Sequence, residues 1–406
     1  MIKIALVTLF TPTQENRGGP SSLPYYLLAN APKEYFIQIY SADFNKQLSQ
    51  ELFKGSLSDI VINRIKLTSF CKYYANNKIL NLWDLFSKKV LAKPSYLRIK
   101  KVDIKNINEF NPDVVWIYPY NFNSFFDQLD KYPRVYLGPD SSALHNYRAL
   151  SDTYTLGNPK IFNAVLHEYK RTWNMEKLVY INSLFVFVGY EDFRFFSCQN
   201  AGRNKSAFLS HPHYKVNKKD INLHKDVLSV VFTGGLSLYN RSEIKNVIVS
   251  LIKNTDKLKD QFYFTFLGKG YDEVVDLLRI SGFHAESKKW VEDYNCELIN
   301  HDIQIFPISL GTGTKGKVLD ALSTGLLTIG TKIAFENIII RNYKSCIIYR
   351  NSKSIPGILL SIKQNPNYFE NIAKKGRENI LRYHDPQKCA RNFFRLFDKQ
   401  LNDNIE

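Results

Sequence analysis

Cysteines, acidic residues and long apolar runs are scarce in this sequence, and the shortages of cysteines and of apolar runs each exclude a class of protein. The five cysteines are scattered and include no C-x-x-C pair, so we expect reduced thiols rather than a disulfide framework or a structural zinc site. No apolar run approaches the roughly 18 residues that a membrane-spanning helix requires. Met1–Phe10 lacks the basic start and the small-residue cleavage site of a signal peptide. We therefore expect a cytoplasmic protein.

The shortage of acidic residues gives the chain a strongly basic balance. Its 406 residues include 55 Lys+Arg and 38 Asp+Glu, a net charge of +17. Such a surface attracts anions, which include nucleic acid, anionic lipid and phosphorylated small molecules. Hydrophobic residues at 44% and charged residues at 23% are ordinary globular usage, which excludes disorder, collagen and coiled coil. The length exceeds one core of usual size and predicts two domains.

Short apolar strands alternate with helical stretches in two series, which predicts an α/β protein with two doubly wound, Rossmann-like domains facing across a cleft. The polar segment Tyr214–Lys225 between the series is predicted to be a linker. The predicted domains are 1–213 and 214–387, and the helix 388–406, with its apolar stripe, is expected to pack back on the first. The predicted strands are Met1–Leu9, Glu34–Tyr40, Asp59–Ile65, Asp113–Tyr118, Arg134–Leu137, Leu184–Gly189, Leu228–Thr233, Phe262–Leu267, Asp302–Ile308, Leu327–Gly330 and Cys346–Tyr349.

A glycine-rich loop in the second series is the most informative motif. A strand ends at Ile308, the loop Gly311–Gly316 follows, and a helix is predicted from near Lys317. Backbone N–H groups in such a loop and the positive end of a helix together bind phosphate, and Lys315 and Lys317 add full charges. The alternative is a plain strand-to-helix turn.

Two known phosphate-binding motifs, the dinucleotide fingerprint and the P-loop, overlap this loop. As G-x-G-x-x-G it matches the dinucleotide fingerprint, with Glu336 placed for a ribose contact, but it lies late in its series and contains two lysines. As G-x-x-x-x-G-K-[ST] it matches a P-loop until Val318, which stands where the magnesium-binding hydroxyl is required. The P-loop interpretation therefore fails, and the dinucleotide interpretation is weakened.

The whole region resembles the nucleotide-binding domain of group 1 (family 4) glycosyltransferases of the GT-B fold. The matching pieces are Phe232–Gly235, Phe266–Gly270, Asp302–Pro307, Gly311–Leu322, Gly325 and Thr331. The resemblance covers roughly 227–337 well and the N-terminal half only loosely. The chain departs from the family in two places: Thr312 replaces the first carboxylate of the E-x7-E pair, and Leu326–Leu327 replaces the usual residues after Gly325.

This resemblance implies a donor site for a UDP- or GDP-sugar. Glycines at strand ends allow close approach to a diphosphate, Arg241 is a candidate second cation, and Asp320 is a candidate ribose contact. A surface arginine and a carboxylate in the first turn of a helix are the alternatives. The predicted donor-binding residues are Gly18, Gly19, Gly234, Gly235, Arg241, Gly268, Gly311, Thr312, Gly313, Thr314, Lys317 and Asp320.

A second set of polar residues follows a strand in the N-terminal half. The strand Arg134–Leu137 leads into Gly138–His145, and polar groups at the carboxyl end of a parallel strand face the crevice where ligands bind. Asp140 and His145 are predicted catalytic residues, together with Lys315, which would stabilise the leaving diphosphate. The alternative for Asp140 is a helix-capping role.

The sequence therefore predicts a hexosyltransferase-type glycosyltransferase that acts on a hydroxyl of a glycan or polyprenyl-linked glycan in surface polysaccharide biosynthesis. No D-x-D occurs, which predicts metal-independent chemistry without a cofactor beyond the nucleotide sugar. The resemblance implies retention of configuration, whereas Asp140 as a base would imply inversion. Rival interpretations are a GT-B-like sugar-nucleotide epimerase and a nucleic-acid-binding protein, although no recognition helix is apparent.

A basic amphipathic segment predicts attachment to a membrane surface. Ile79–Lys101 pairs an apolar, aromatic face with a lysine-rich edge, which is typical of segments that lie on anionic lipid. The expected location is peripheral, at the inner face of the membrane. Core packing with a solvated basic edge is the alternative interpretation.

Overall fold

The structure is a computed structural model that describes residues 1–14, 21–48, 57, 59–68, 98–120 and 128–402. The predicted donor residues Gly18 and Gly19 lie outside the described residues, as does most of the basic segment Ile79–Lys101. Within the described ranges, no helix is both long enough and apolar enough to cross a bilayer.

The chain divides into two compact units. The first comprises the described residues of Met1–Ser151 and Asn158–Pro212 together with the segment from Pro386 onward, and the second comprises Asp152–Gly157 and His213–Asp385.

A seven-stranded parallel sheet forms the centre of the first unit, in the order β3-β2-β1-β4-β5-β6-β7. Its strands are β1 Ile2–Thr8, β2 Tyr35–Ser41, β3 Val61–Arg64, β4 Val114–Tyr118, β5 Arg134–Gly138, β6 Ser183–Phe187 and β7 Lys205–Phe208. The inner strands β4, β5 and β6 are buried along their whole length, as expected for a parallel sheet covered on both faces. The helices up to the end of this series are α1 Ser22–Leu28, α2 Lys101–Phe110, α3 Ser142–Leu150, α4 Thr153–Leu156 (which belongs to the second unit), α5 Pro159–Glu176 and α6 Tyr190–Asn200.

The second unit contains a six-stranded parallel sheet in the order β10-β9-β8-β11-β12-β13. Its strands are β8 Leu228–Thr233, β9 Phe262–Leu267, β10 His284–Lys288, β11 Ile303–Phe306, β12 Leu327–Gly330 and β13 Ile347–Ile348. Its further helices are α7 Arg241–Ile252, α8 Thr255–Leu258, α9 Asp272–Ile280, α10 Tyr294–Leu298, α11 Gly316–Thr324, α12 Ile355–Gln364 and α13 Pro366–Tyr383, with a 3-10 turn at Ser352–Ser354. The predicted α/β class with two parallel sheets is confirmed.

The last helix, α14 (Pro386–Asn402), packs on the sheet of the first unit. Phe393 lies 4.8 Å from Trp116 of β4, measured between ring centroids, and Phe394 and Phe397 contact the same indole. These phenylalanines recur at helical spacing, so one face of α14 is buried as a continuous apolar stripe.

The strand order determines where loops converge in the second unit. Strands β8, β9 and β10 run outward in one direction from the centre and β11, β12 and β13 in the other, which makes the β8–β11 boundary the switch point of the sheet. Ligands of open α/β sheets bind outside the carboxyl ends of the strands at this point. The loop after β8 contains Gly234 and Gly235, and the loop after β11 contains the glycine-rich stretch Gly311–Gly316.

Candidate functional site

The loops after β8 and β9 approach each other closely because both contain glycine. Gly234 and Gly268 have φ angles of +95° and +148°, which side chains disfavour. A Cβ atom on Gly268 would lie 2.7 Å from the carbonyl carbon of Gly234 and 2.8 Å from the nitrogen of Gly235. The two backbones therefore contact directly, and only glycine fits at Gly268.

Two side chains hold this glycine contact in place. The hydroxyl of Tyr271 donates to the carbonyl of Gly234 at 2.8 Å, and the amide of Asn240 donates to the carbonyl of Gly235 at 3.2 Å. The oxygen of the Asn240 amide accepts from the N–H of Ser237 at 2.9 Å. These hydrogen bonds engage the carbonyl groups of Gly234 and Gly235 and fix the backbone conformation of the loop after β8.

The loop after β11 is organised by Lys315. Its ammonium donates to the carbonyls of Thr312 and Gly313, at 3.2 and 2.9 Å, and lies 4.0 Å from the carboxylate of Glu336. The amide of Asn337 also donates to the Gly313 carbonyl at 3.1 Å. Lys315 thus neutralises carbonyl dipoles of its own loop directly before α11 begins.

Lys317 presents its ammonium to the glycine turn after β8. A Cβ atom on Gly234 would lie 3.2 Å from this ammonium, which also lies 5.8 Å from the ring centroid of Tyr294. The residue remains exposed, and no carboxylate lies within 4.0 Å of its ammonium among the described residues. Desolvation lowers the pKa of Lys317, and the carboxylate of Asp320 opposes this shift.

Asp320 lies behind Lys317, one turn further along α11, and is buried. Its Oδ1 atom has no hydrogen-bond partner within the described structure. Burial raises the pKa of Asp320 to about 7, and the charge of Lys317 counteracts the rise. A buried carboxyl oxygen without a partner costs free energy, so it marks a position where a ligand hydroxyl would gain a hydrogen bond.

A small polar cluster joins β8, β11 and α10 near Asp320, whose charge adds to the rise that burial causes in the pKa of Tyr294. The hydroxyl of Tyr294 donates to Thr233 Oγ1 at 3.3 Å, and the amide of Gln304 donates to the same oxygen at 2.6 Å. The other atom of that amide, Gln304 Oε1, is buried without a partner in the described part of the chain. Thr233 ends β8 and Gln304 lies in β11, so the cluster sits at the switch point.

Arg241, Thr312 and Thr314 have different positions relative to this site. Arg241 is the first residue of α7 and is exposed, and its backbone N–H donates to the Ser237 carbonyl at 2.9 Å. Thr312 is buried in the loop after β11, whereas Thr314 is half-buried. Gly311, beside them, has a φ of +140°.

In the first unit, Asp140 and His145 flank the start of α3. Asp140 is half-buried after β5, and the backbone N–H of His145 donates to the Ser141 carbonyl at 3.0 Å. Burial raises the pKa of Tyr118, at the end of β4, and the nearby Asp140 charge adds to this rise.

The first N–H groups of α3 are satisfied by buried side chains of the same unit. Glu176 accepts from the Ala143 N–H at 2.9 Å, from the Ser141 hydroxyl at 3.0 Å and from the Tyr120 hydroxyl at 2.6 Å. The Tyr120 oxygen accepts in turn from the Ser142 N–H at 2.7 Å. An internal carboxylate thus occupies the helix N-terminus, where an anionic ligand would otherwise bind.

Glu176 should make stability depend on pH. Burial raises its pKa to about 7 from the usual 4.5, so the folded state binds a proton between these values and the unfolded state does not. The free energy of unfolding should therefore fall as pH rises from about 4.5 to about 7, by roughly 3 kcal/mol from this group. Chemical denaturation at pH 5 and pH 8 should show a smaller difference for Glu176→Gln than for the wild type, and an equal difference would contradict the assignment.

Several residues of these networks escape prediction from the sequence. Tyr120, Glu176, Tyr271, Tyr294 and Gln304 carry no motif, and their neighbours in the chain give no signal. Glu176 ends α5 and reaches α3 only through the fold, because 33 residues separate it from Ala143. In the described ranges, no group of three His, Cys, Asp or Glu residues is arranged as metal ligands.

Comparison with known proteins gives matches only in three dimensions. No family model and no curated protein sequence matches the chain. Among solved structures, HepE from Anabaena in complex with UDP matches with a TM-score of 0.62 and 11% identity, covering 98% of this chain and 100% of that one. Sucrose-phosphate synthase from Thermosynechococcus elongatus matches with a TM-score of 0.66 and 9% identity, covering 99% and 100%. The lipopolysaccharide outer core galactosyltransferase WaaB matches with a TM-score of 0.59 and 11% identity, covering 98% and 100%. At these identities the likeness establishes architecture, and this chain has the two-domain α/β architecture of the GT-B fold.

Proposed function

We propose that the protein is a glycosyltransferase that takes a sugar from a nucleoside-diphosphate sugar and transfers it to a hydroxyl acceptor. One observation carries the proposal. The ammonium of Lys317 lies beside Gly234 at the switch point of the second sheet, and Asp320, one turn further along α11, has a buried Oδ1 atom without a hydrogen-bond partner among the described residues. A diphosphate is bound by glycine backbone N–H groups and by a cation, and the ribose that follows it is bound by a buried hydrogen-bonding group. Three of the similar solved structures contain UDP or UDP-glucose, which supports this ligand class.

In the proposed site the diphosphate lies against Gly234 and Gly235. Lys317 neutralises charge on the oxygens as the bond between the sugar and the phosphate breaks, which is where the transition state gains charge. Asp320 binds a ribose hydroxyl through Oδ1, and Lys315 keeps the glycine loop in shape. These donor contacts all come from the second unit.

The finer features of the reaction remain part of the proposal. The nucleotide is UDP or GDP, no further cofactor takes part, and Asp140 and His145 of the first unit contact the acceptor. The acceptor is a glycan or lipid-linked glycan at the inner membrane surface, and the sugar keeps its anomeric configuration. The sequence motifs support these features. The anomeric configuration of the product, measured by NMR from its anomeric proton, would distinguish retention from inversion.

A ligand panel tests the core of the proposal. We expect UDP or GDP, and the matching sugar nucleotide, to raise the melting temperature at one hundred times Kd by about 3 °C where the whole chain unfolds in one step, and by about 7 °C where the second unit unfolds alone. Release of the nucleoside diphosphate should depend on an added acceptor hydroxyl, which an epimerase would not need. Tight binding of duplex DNA without any response to nucleotides would contradict the proposal.

A further inference from the structure

Three aliphatic side chains are exposed in the short loop between α5 and β6 of the first unit. Leu178, Val179 and Ile181 are 47%, 53% and 70% exposed, although these residue types are among those most often buried. One exposed apolar residue is ordinary on a protein surface, whereas a large contiguous apolar patch marks a surface that binds a partner. We refer to these three side chains as the aliphatic tip.

Buried polar side chains hold this loop in its conformation. The amide of Asn204 donates to the carbonyl of Leu178 at 2.7 Å, and its oxygen accepts from the N–H of Tyr180 at 2.9 Å. The guanidinium of Arg134, which is buried at the start of β5, donates to the carbonyl of Ile181 at 2.7 Å. These bonds satisfy polar backbone groups that would otherwise cost free energy in apolar surroundings. The loop therefore presents its aliphatic side chains on a preorganised backbone.

A band of aromatic rings lies next to the aliphatic tip. Neighbouring ring centroids are 5.7–6.2 Å apart around a closed group of four, which comprises Tyr147, Tyr169, Trp173 and Phe195. Tyr147 is exposed and the other three rings are half-buried. The ammonium of Lys177, which directly precedes the tip, lies 4.7 Å from the ring centroid of Trp173, so this aromatic band and the tip are continuous. Tyrosine and tryptophan, which pair an apolar ring with a polar group, are enriched where a membrane meets water.

Basic side chains lie beside the aliphatic tip. The first residues of the neighbouring strands β5, β6 and β7 pair in register to within one residue, so the loops before these strands lie side by side. Each loop exposes one cation, and the three cations are Lys131, Lys177 and Arg203. The described parts of these loops contain one acidic residue, Asp130, and no carboxylate of the described chain lies within 4.0 Å of the three cations. The face therefore has an excess of positive charge.

We propose that this face, which combines the aliphatic tip, the aromatic band and the three cations, binds an anionic bilayer. The tip enters the acyl region, the aromatic band lies at the level of the headgroups, and the cations pair with lipid phosphates. A second copy of the chain is a poorer partner, because a two-fold axis through this face would bring cations against cations. A bilayer presents negative charge and an apolar interior together, so it complements both the charge and the side chains of the face.

The inference rests on the proposed function in one respect, since that proposal places the acceptor at a membrane surface. The face lies at the amino ends of the strands, whereas Asp140 follows the carboxyl end of β5. About 16 Å of strand separates the two ends, at roughly 3.3 Å per residue. Binding of a bilayer at this face therefore leaves the proposed acceptor residues uncovered, and it does not involve the donor site of the second unit.

Co-sedimentation of the full-length protein with lipid vesicles tests the inference. The wild type should bind vesicles of phosphatidylglycerol and phosphatidylcholine, and it should bind vesicles of phosphatidylcholine alone about ten-fold more weakly or less, because the cations then have no anionic partner. The tip variant, which combines Leu178→Ser, Val179→Ser and Ile181→Ser, should partition into the anionic vesicles about ten-fold more weakly or less, because it lacks the carbon atoms that enter the acyl region.

A charge variant and a matched control complete the experiment. Combined Lys131→Gln, Lys177→Gln and Arg203→Gln should weaken binding to the anionic vesicles about five-fold for each removed charge. The control replaces one valine, one leucine and one isoleucine of the second unit by serine, at positions that are 43%, 47% and 85% exposed on α7 and α9, namely Val249, Leu277 and Ile280. It should bind vesicles like the wild type. Melting temperatures and calorimetry with a nucleoside diphosphate should be the same for the tip variant and the wild type.

Three other results would overturn the inference. Equal vesicle binding by the wild type and the tip variant would reject this face and leave another surface, such as the basic segment Ile79–Lys101, as the membrane contact. Absence of vesicle binding in the wild type would reject the bilayer as the partner. A wild-type dimer that the tip variant dissociates, observed by analytical ultracentrifugation, would assign the face to a second copy of the chain. Failure of the wild type to bind any nucleoside diphosphate would instead reject the proposed function.

Discussion

Lys317→Ala should lower the rate of sugar transfer by about 10²- to 10³-fold, which is the usual cost of losing one preorganised group that stabilises a developing anion. The ammonium lies beside Gly234 and has no carboxylate within 4.0 Å among the described residues, so no internal ion pair competes with the ligand for its charge. The variant should also bind the nucleoside diphosphate more weakly, because a desolvated phosphate would lose a charge-assisted partner. Steady-state kinetics and calorimetry measure the two effects separately.

A lysine of the same unit provides the control for Lys317. Lys257 is exposed in α8, directly before the amino end of β9. It therefore lies near the amino ends of the strands, whereas the glycine loops lie at their carboxyl ends. Lys257→Ala removes the same charge and should leave transfer and nucleotide binding within two-fold of the wild type. Equal behaviour of the two variants would reject Lys317 as the diphosphate partner.

Gly268→Ala should weaken nucleotide binding by at least 100-fold. The new Cβ would lie 2.7–2.8 Å from the backbone of Gly234 and Gly235, and backbone atoms cannot swing aside as the end of a side chain can. The two loops would have to separate, which moves Gly234 away from Lys317 and breaks the proposed diphosphate site. The φ of +148° adds conformational strain to this collision. Calorimetry with the nucleoside diphosphate measures the loss.

Gly282→Ala is a control that introduces conformational strain like that of Gly268→Ala but no steric collision with backbone atoms. Gly282 also has a positive φ, +94°, but a Cβ there meets only side-chain atoms at 3.8 Å. This control should lose about 1–2 kcal/mol of stability and keep its affinity for nucleotides. If Gly268→Ala loses no more affinity than Gly282→Ala, the close backbone contact has no role in binding.

The alternation of apolar strands with helical stretches was sufficient to predict two parallel sheets. Buried inner strands such as Val114–Tyr118 are continuously apolar, and this pattern is strong because both faces of a parallel sheet are covered. The strands β7 (Lys205–Phe208) and β10 (His284–Lys288) were not predicted. Both are short edge strands with polar residues and partial exposure, so they lack the apolar signal.

The two lysines of the glycine loop show a limit of predicting side-chain contacts from a sequence motif. Both Lys315 and Lys317 were predicted to neutralise a diphosphate, because the motif contains both and sequence spacing treats them alike. In the structure Lys315 donates to carbonyls of its own loop, whereas Lys317 reaches across to the turn after β8. That difference in contacts depends on side-chain direction across two loops that are about 80 residues apart in the chain.

The sequence by itself determined the fold class, the positions of the inner strands along the chain and the position of the glycine-rich loop after β11, because these depend on local hydrophobic periodicity and on the backbone freedom of glycine. Only the tertiary structure decided which side chains meet. Glu176 reaches the start of α3, Gly268 contacts Gly234, and Asp320 keeps an oxygen without a partner behind Lys317. Each of these contacts joins residues from separate elements, so its existence depends on sheet order and packing, which leave no local signal in the chain.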